Sequence, residues 1–250
     1  MIALLLTWLA LSAGAQASPV LDYERMEQLK SGLVSRVMEV EVTLKPAPDA
    51  DPSMPVRLTG QAVCVSQRDG KTAILTSQFL VDNAARITAR TAGDLQAPGT
   101  PEAVGMPAAV EMKVARYDPL LAVAFLAPAD GTAFRCKVTR LATAAQSRPG
   151  DEVFSVDNPA GPAPNVFWGR VDGNAEPPLE RFLLTSTGLP LGYPLFTSDQ
   201  RLVALNLRPY TTTSALALSV PAPLLRLLFS PLREQEAPSD REGRRDYDTL

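Results

Sequence analysis

Between residues 38 and 44 the chain alternates without a break. Met38, Val40, Val42 and Leu44 are apolar, and Glu39, Glu41 and Thr43 between them are polar. Successive side chains of a strand point to opposite faces, so a period of two marks a strand buried on one side. The same period returns where Val110, Met112 and Val114 alternate with Glu111 and Lys113. GQAVCVSQRDGKTAILTS (60–77) reads as two short β-rich runs joined across Arg68-Asp69-Gly70, and Asp-Gly suits a tight hairpin turn. Further strand-like runs fall at 86–91, 136–141, 152–156, 166–171 and 181–185, and two more at 194–196 and 202–207 flank a turn at Ser198-Asp199-Gln200. LLAVAFLA (120–127) is continuously apolar, as expected of a strand buried on both faces. Residues 45–55, rich in proline and aspartate, read as a loop. Helical spacing is confined to Met26, Leu29, Leu33 and Val37, and to 216–229, where a last strand passes through Pro221 into a short helix. With 250 residues at 46% hydrophobic content, the chain can fill one sizeable core or two small packed lobes. Many short strands with frequent turns and little helix predict an all-β sandwich or pair of barrels.

The two ends differ from this body. MIALLLTWLALSAGAQA (1–17) predicts a secretory signal peptide: its apolar run is short for a bilayer span, and Ala15-Gln16-Ala17 fits a small-x-small cleavage site. It lacks a basic n-region, and a retained N-terminal anchor is the alternative. A signal peptide implies a secreted or periplasmic protein with no membrane span in the mature chain. Export places Cys64 and Cys136 in an oxidising compartment, where two readings stand open: a disulfide, or two small buried apolar residues. Residues 231–250 are charged and polar and are expected to form a disordered tail carrying no site.

What the chain lacks narrows its chemistry. It contains no histidine, which rules out an imidazole general base, a Ser–His or Cys–His pair and imidazole metal ligation. A net charge of −3 gives no footing for nucleic acid or an anionic membrane as partner. No metal constellation, phosphate loop or cofactor site stands out. Asp157-Asn158-Pro159 and Asp82-Asn83 read as turns and helix caps.

Six segments, in order, resemble the trypsin-like serine proteases of the HtrA type. Gly60 to Val65 is similar to that family's Gly-Ser-Gly strand, and ILTSQFLVDNAARIT to its strand, catalytic-histidine loop and following strand. Tyr117-Asp118-Pro119 with LLAVAFLA resembles the stretch carrying the catalytic aspartate. RPGDEVFSVDNPAG (148–161) looks like the opening of the second barrel, and LTSTGLPLGYPLF with LVALNL like the nucleophile loop and the strand after it. ALSVPAPLLRLL is similar to the closing helix. The match covers about 28–228. It implies two six-stranded β-barrels of the trypsin-like (chymotrypsin) fold, the first over about 38–130 and the second over about 131–222. A short N-terminal helix and a C-terminal helix complete one domain over 18–230.

Carried over position by position, the resemblance puts Phe79 at the histidine, Leu120 at the aspartate and Leu191 at the serine. The oxyanion-hole amides would belong to Leu189 and Leu191, with Pro190 between them. Gly192, Pro194 and Leu195 match the family loop, while Tyr193 replaces its second glycine. A buried carboxylate left without its imidazole costs about 3–5 kcal/mol, so three apolar replacements are expected together, packed as a plug between the barrels. The expectation is an inactive protease homologue that binds a peptide or protein partner. Two alternatives stand beside it. One is an unconventional hydrolase using Ser77, Thr185, Ser186 or Thr187 with a desolvated lysine, although Lys30, Lys45, Lys71, Lys113 and Lys137 fall at strand edges, turns or solvated positions. The other is a structural domain of an envelope assembly.

Overall fold

The computed structural model describes residues 23–47, 55–66, 72–91, 109–131, 136–187, 189 and 191–229. The expected signal peptide, the Asp69-Gly70 turn, Lys71, Pro190 and the charged tail lie outside the described residues. A first helix, α1 (Tyr23–Val34), leads into β1 (Val37–Leu44), β2 (Arg57–Ser66) and β3 (Thr72–Ser77). A single helical turn, α2 (Gln78–Val81), precedes β4 (Ala84–Thr91), β5 (Val110–Asp118) and β6 (Val123–Pro128). The second half carries β7 (Glu152–Asp157), β8 (Asn165–Asn174), β9 (Leu183–Thr185), β10 (Pro194–Phe196), β11 (Leu202–Pro209) and β12 (Ala217–Pro221), closed by α3 (Ala222–Leu227).

Each half is a closed antiparallel barrel. The first runs β1-β2-β3-β6-β5-β4, and the second runs β7-β8-β9-β12-β11-β10, so one strand order is used twice. This is the trypsin-like double barrel with a short helix at either end. The alternation in β1 has the expected result: Met38, Val40 and Val42 fill the first barrel, while Glu39 and Glu41 turn outward to Arg90 and Arg57. In β2, β3 and β6 both faces are buried. Ala62, Cys64, Ile74, Ala124 and Leu126 face the barrel interior. Val63, Leu75, Val123 and Phe125 face a second cluster shared with Val156, Phe196 and Leu207 of the other barrel. That seam also takes in Leu29 and Leu33 of α1. A strand between two cores needs apolar residues at every position, which explains the unbroken run in β6.

Two expected strands take another form. Residues 120–122 are a turn, because the Asp118 carboxylate accepts the Leu121 N–H at 3.0 Å and Ala122 takes a positive φ of 53°. Side-chain capping of this kind competes with the strand ladder, and β6 starts only at Val123. Residues 136–141 form a strap between the barrels, held by single bridges, Val65 to Thr139 and Leu141 to Leu202. A disulfide joins Cys136 on this strap to the fully buried Cys64 of β2.

Candidate functional site

The positions singled out by the resemblance come from three elements that meet where the barrels face each other. Ser77 ends β3 and caps α2: its hydroxyl accepts the Phe79 N–H at 3.2 Å and donates to the Leu207 carbonyl of β11 at 2.7 Å. Ser77 therefore ties this loop across the seam. The Gln78 N–H donates to the Ala122 carbonyl at 2.9 Å, which sets the β5–β6 turn beside α2. Leu191 packs on the interior cluster of the first barrel, and its carbonyl accepts the Gln61 N–H at 3.2 Å. Two glycines permit this close approach. A Cβ on Gly60 would collide with the Leu191 carbonyl, and Gly192, at a φ of 78°, has room for none beside the Gln61 carbonyl.

The expected apolar plug does not form. Phe79 is 40% exposed and Leu120 is 69% exposed, and only Leu191 belongs to a core cluster. Local geometry explains the difference. One helical turn directs part of its circumference inward, and in α2 Leu80 and Val81 occupy that part. In the β5–β6 turn the Asp118 cap sends Leu121 inward and leaves Leu120 outside. The Arg208 guanidinium lies 5.5 Å from the Phe79 ring centroid, and Arg181 donates to the Leu120 carbonyl at 2.7 Å. Exposed apolar groups and two cations thus lie on this face: Phe79 with Arg208, and Leu120 with Arg181.

Beneath them is a buried polar frame. The Asn206 amide donates to Thr187 Oγ1 and to the Leu189 carbonyl, both at 3.1 Å, and its oxygen accepts from Ser219 at 2.6 Å. Thr185 joins the same group. The loop bearing Leu189 is thereby pinned to β11. The Gln61 amide donates across the seam to the Val156 carbonyl at 2.6 Å, and the Tyr193 hydroxyl donates to Asp157 at 2.6 Å. Burial, and then the Asp157 carboxylate, push the Tyr193 hydroxyl well above the usual phenol range. In this pair Tyr193 is the donor.

Sequence reasoning missed Arg208, Gln61, Asn206 and the Tyr193–Asp157 pair. A signal existed for two of them. Gln61 and Asn206 are lone amides inside apolar runs, GQAVCV and LVALNL, and a polar residue in a strand interior has to find partners. Among the described residues no group of acidic and cysteine side chains is arranged to hold a metal ion. The chain matches no family model and no curated protein.

Proposed function

We propose that this chain is an exported, catalytically inactive homologue of the HtrA-type trypsin-like proteases, which binds an extended polypeptide segment between its barrels. One observation carries the reading: the chain closes into a double barrel and contains no histidine, and the resemblance assigns Phe79, Leu120 and Leu191 to the triad positions. The exposure of Phe79 and Leu120 supports binding over a purely structural role. Large apolar side chains left in solvent are available as contacts for a partner, and an arginine beside an aromatic ring is a common anchor of such contacts. The remaining hydroxyls speak against an unconventional hydrolase. Ser77, Thr185 and Thr187 are buried and already bonded, and Ser186 is engaged with the Arg170 backbone.

Two measurements test the proposal. Purified protein is treated with a fluorophosphonate probe and with fluorogenic casein; neither labelling nor turnover is expected, and a labelled serine would sink the inactive reading. The protein is then screened on an array of extended peptides. Peptides that bind are expected to lose about tenfold in affinity, equivalent to about 1.4 kcal/mol, on Phe79→Asp or Arg208→Glu. Binding that ignores both substitutions places the peptide elsewhere.

A further inference from the structure

The wall of the first barrel opens between β4 and β5. β4 and β5 pair only through Ile87–Met112, Thr88–Glu111 and Ala89–Val110. Beyond that point β4 runs on toward Ala84 against β1. β5 instead runs on to Asp118 against β6, through an irregularity between Val114 and Arg116. The two strands part, and a cavity of about 320 Å³ lies between them, at the small end of the range for ligand pockets. Its floor is apolar, formed by Val81, Ile87 and Met112, with the Tyr117 ring at one side. Along β4, residues 84–86 have no strand partner on the side facing β5, and unpaired strand-edge amides are donors waiting for an acceptor.

The charge on the rim is unlike that of the whole chain. The protein is net negative, yet among the described residues Lys45, Arg86 and Lys113 line this one concavity with one carboxylate, Glu111. Two of the chain's five lysines are gathered here. Glu111 sits 3.7 Å from Arg86, with both side chains about three-fifths exposed, a pairing too solvated to neutralise the site. Like charges brought to one concave surface focus a positive field into it. Tyr117 adds a hydroxyl whose titration point is raised by partial burial and then by Asp82.

We propose that this opening binds a small organic anion, a carboxylate or phosphate head on a short aromatic or apolar body. The head sits among Lys45, Arg86 and Lys113, and the body lies along Tyr117 over the apolar floor. Its lining includes none of Phe79, Leu120, Leu191 or Arg208, and the proposal stands whether or not those residues bind peptide. The test is a set of titrations of the full chain by isothermal calorimetry and amide-resolved NMR. Benzoate and phenyl phosphate distinguish the two heads, inorganic phosphate supplies a head without a body, and benzyl alcohol a body without a head. Saturable binding of benzoate or phenyl phosphate is expected, with amide shifts centred on residues 84–87 and 113–117. The double variant Lys45→Glu/Lys113→Glu, at two exposed positions, is expected to bind at least about tenfold more weakly. Glu111→Gln, which removes the rim carboxylate, is expected to bind about threefold more tightly. The proposal is overturned if neither aromatic anion binds, or if the alcohol or phosphate alone binds equally well. It is also overturned if shifts centre elsewhere, or if affinity is unmoved by both rim variants.

Discussion

Tyr193 is part of the buried polar frame. The ring is 7% exposed and its hydroxyl reaches Asp157. Tyr193→Phe keeps the ring but strands the carboxylate, and is expected to cost about 1–2 kcal/mol in denaturant unfolding. The pH dependence has a definite sign. The folded hydroxyl titrates above its unfolded counterpart, so its contribution is complete below about pH 10 and falls as pH rises further, because only the unfolded chain releases the proton. Tyr193→Phe is expected to flatten this alkaline loss when stability is followed between about pH 9 and 11. Asn206 makes a sharper case. Asn206→Leu orphans Thr187 and the Leu189 carbonyl together, while Ser219 keeps Thr185 as a partner, and at about 1–3 kcal/mol per unsatisfied group the variant is expected to lose at least about 2 kcal/mol. Residue identity showed that no triad is present, since a missing histidine is visible in any sequence. It did not show that Phe79 and Leu120 face solvent, because apolar character does not say which side of a one-turn helix or capped turn a residue takes. The Tyr193 partner was equally hidden, lying 36 positions upstream.

Among the elements, legibility followed how much of the ladder is local. β1 was readable because one face is wet, and the period of two shows only then. β6 announced itself by its unbroken apolar run, but its start was misplaced, since the Asp118 cap replaces the strand for three residues. The strap at 136–141 has strand-like composition without a strand's pairing. Val138 and Thr139 serve as isolated attachments, the Val138 carbonyl accepting from Arg36 and the Thr139 N–H donating to the Cys64 carbonyl. Such contacts depend on residues far away in sequence and leave no periodicity to read. The disulfide fixes the strap, and of the two readings open for Cys64 and Cys136 the structure selects the cross-link. It closes a loop spanning 72 positions, for which chain entropy gives about 4 kcal/mol. Cys136→Ala spares the buried Cys64 site, and is expected to lower the thermal midpoint by about 8–16 °C at about 2–4 °C per kcal/mol. Reduction of the parent protein should reproduce that shift; an unchanged midpoint would mean the strap is held without the cross-link.

For the whole molecule, the order β1-β2-β3-β6-β5-β4 repeated in the second half was foreseeable only through the resemblance. Alternation predicts strands but not which strands become neighbours. What couples the two barrels is the seam, and it was not legible at all. β2, β3 and β6 lend one face to it, as do β7, β10 and β11, and α1 closes it through Leu29 and Leu33. Buried bonds from Gln61 to Val156 and from Ser77 to Leu207 cross it. A barrel on its own would expose this apolar face and leave those bonds unmade, and both costs are of the order of a domain's net stability. The barrels are therefore expected to unfold as one cooperative unit, with a single calorimetric transition whose van't Hoff and calorimetric enthalpies agree. A substitution confined to the second barrel supplies the stringent test. Leu195 is fully buried in that interior and belongs to a cluster containing no first-barrel residue. Leu195→Ala is expected to cost about 2–5 kcal/mol. It should also lower hydrogen-exchange protection at Val40 and Val42 of β1 by the same free energy as in its own barrel. Protection at Val40 and Val42 that stays at the parent level, or a scan that splits into two transitions, would show that the seam joins two independently stable barrels.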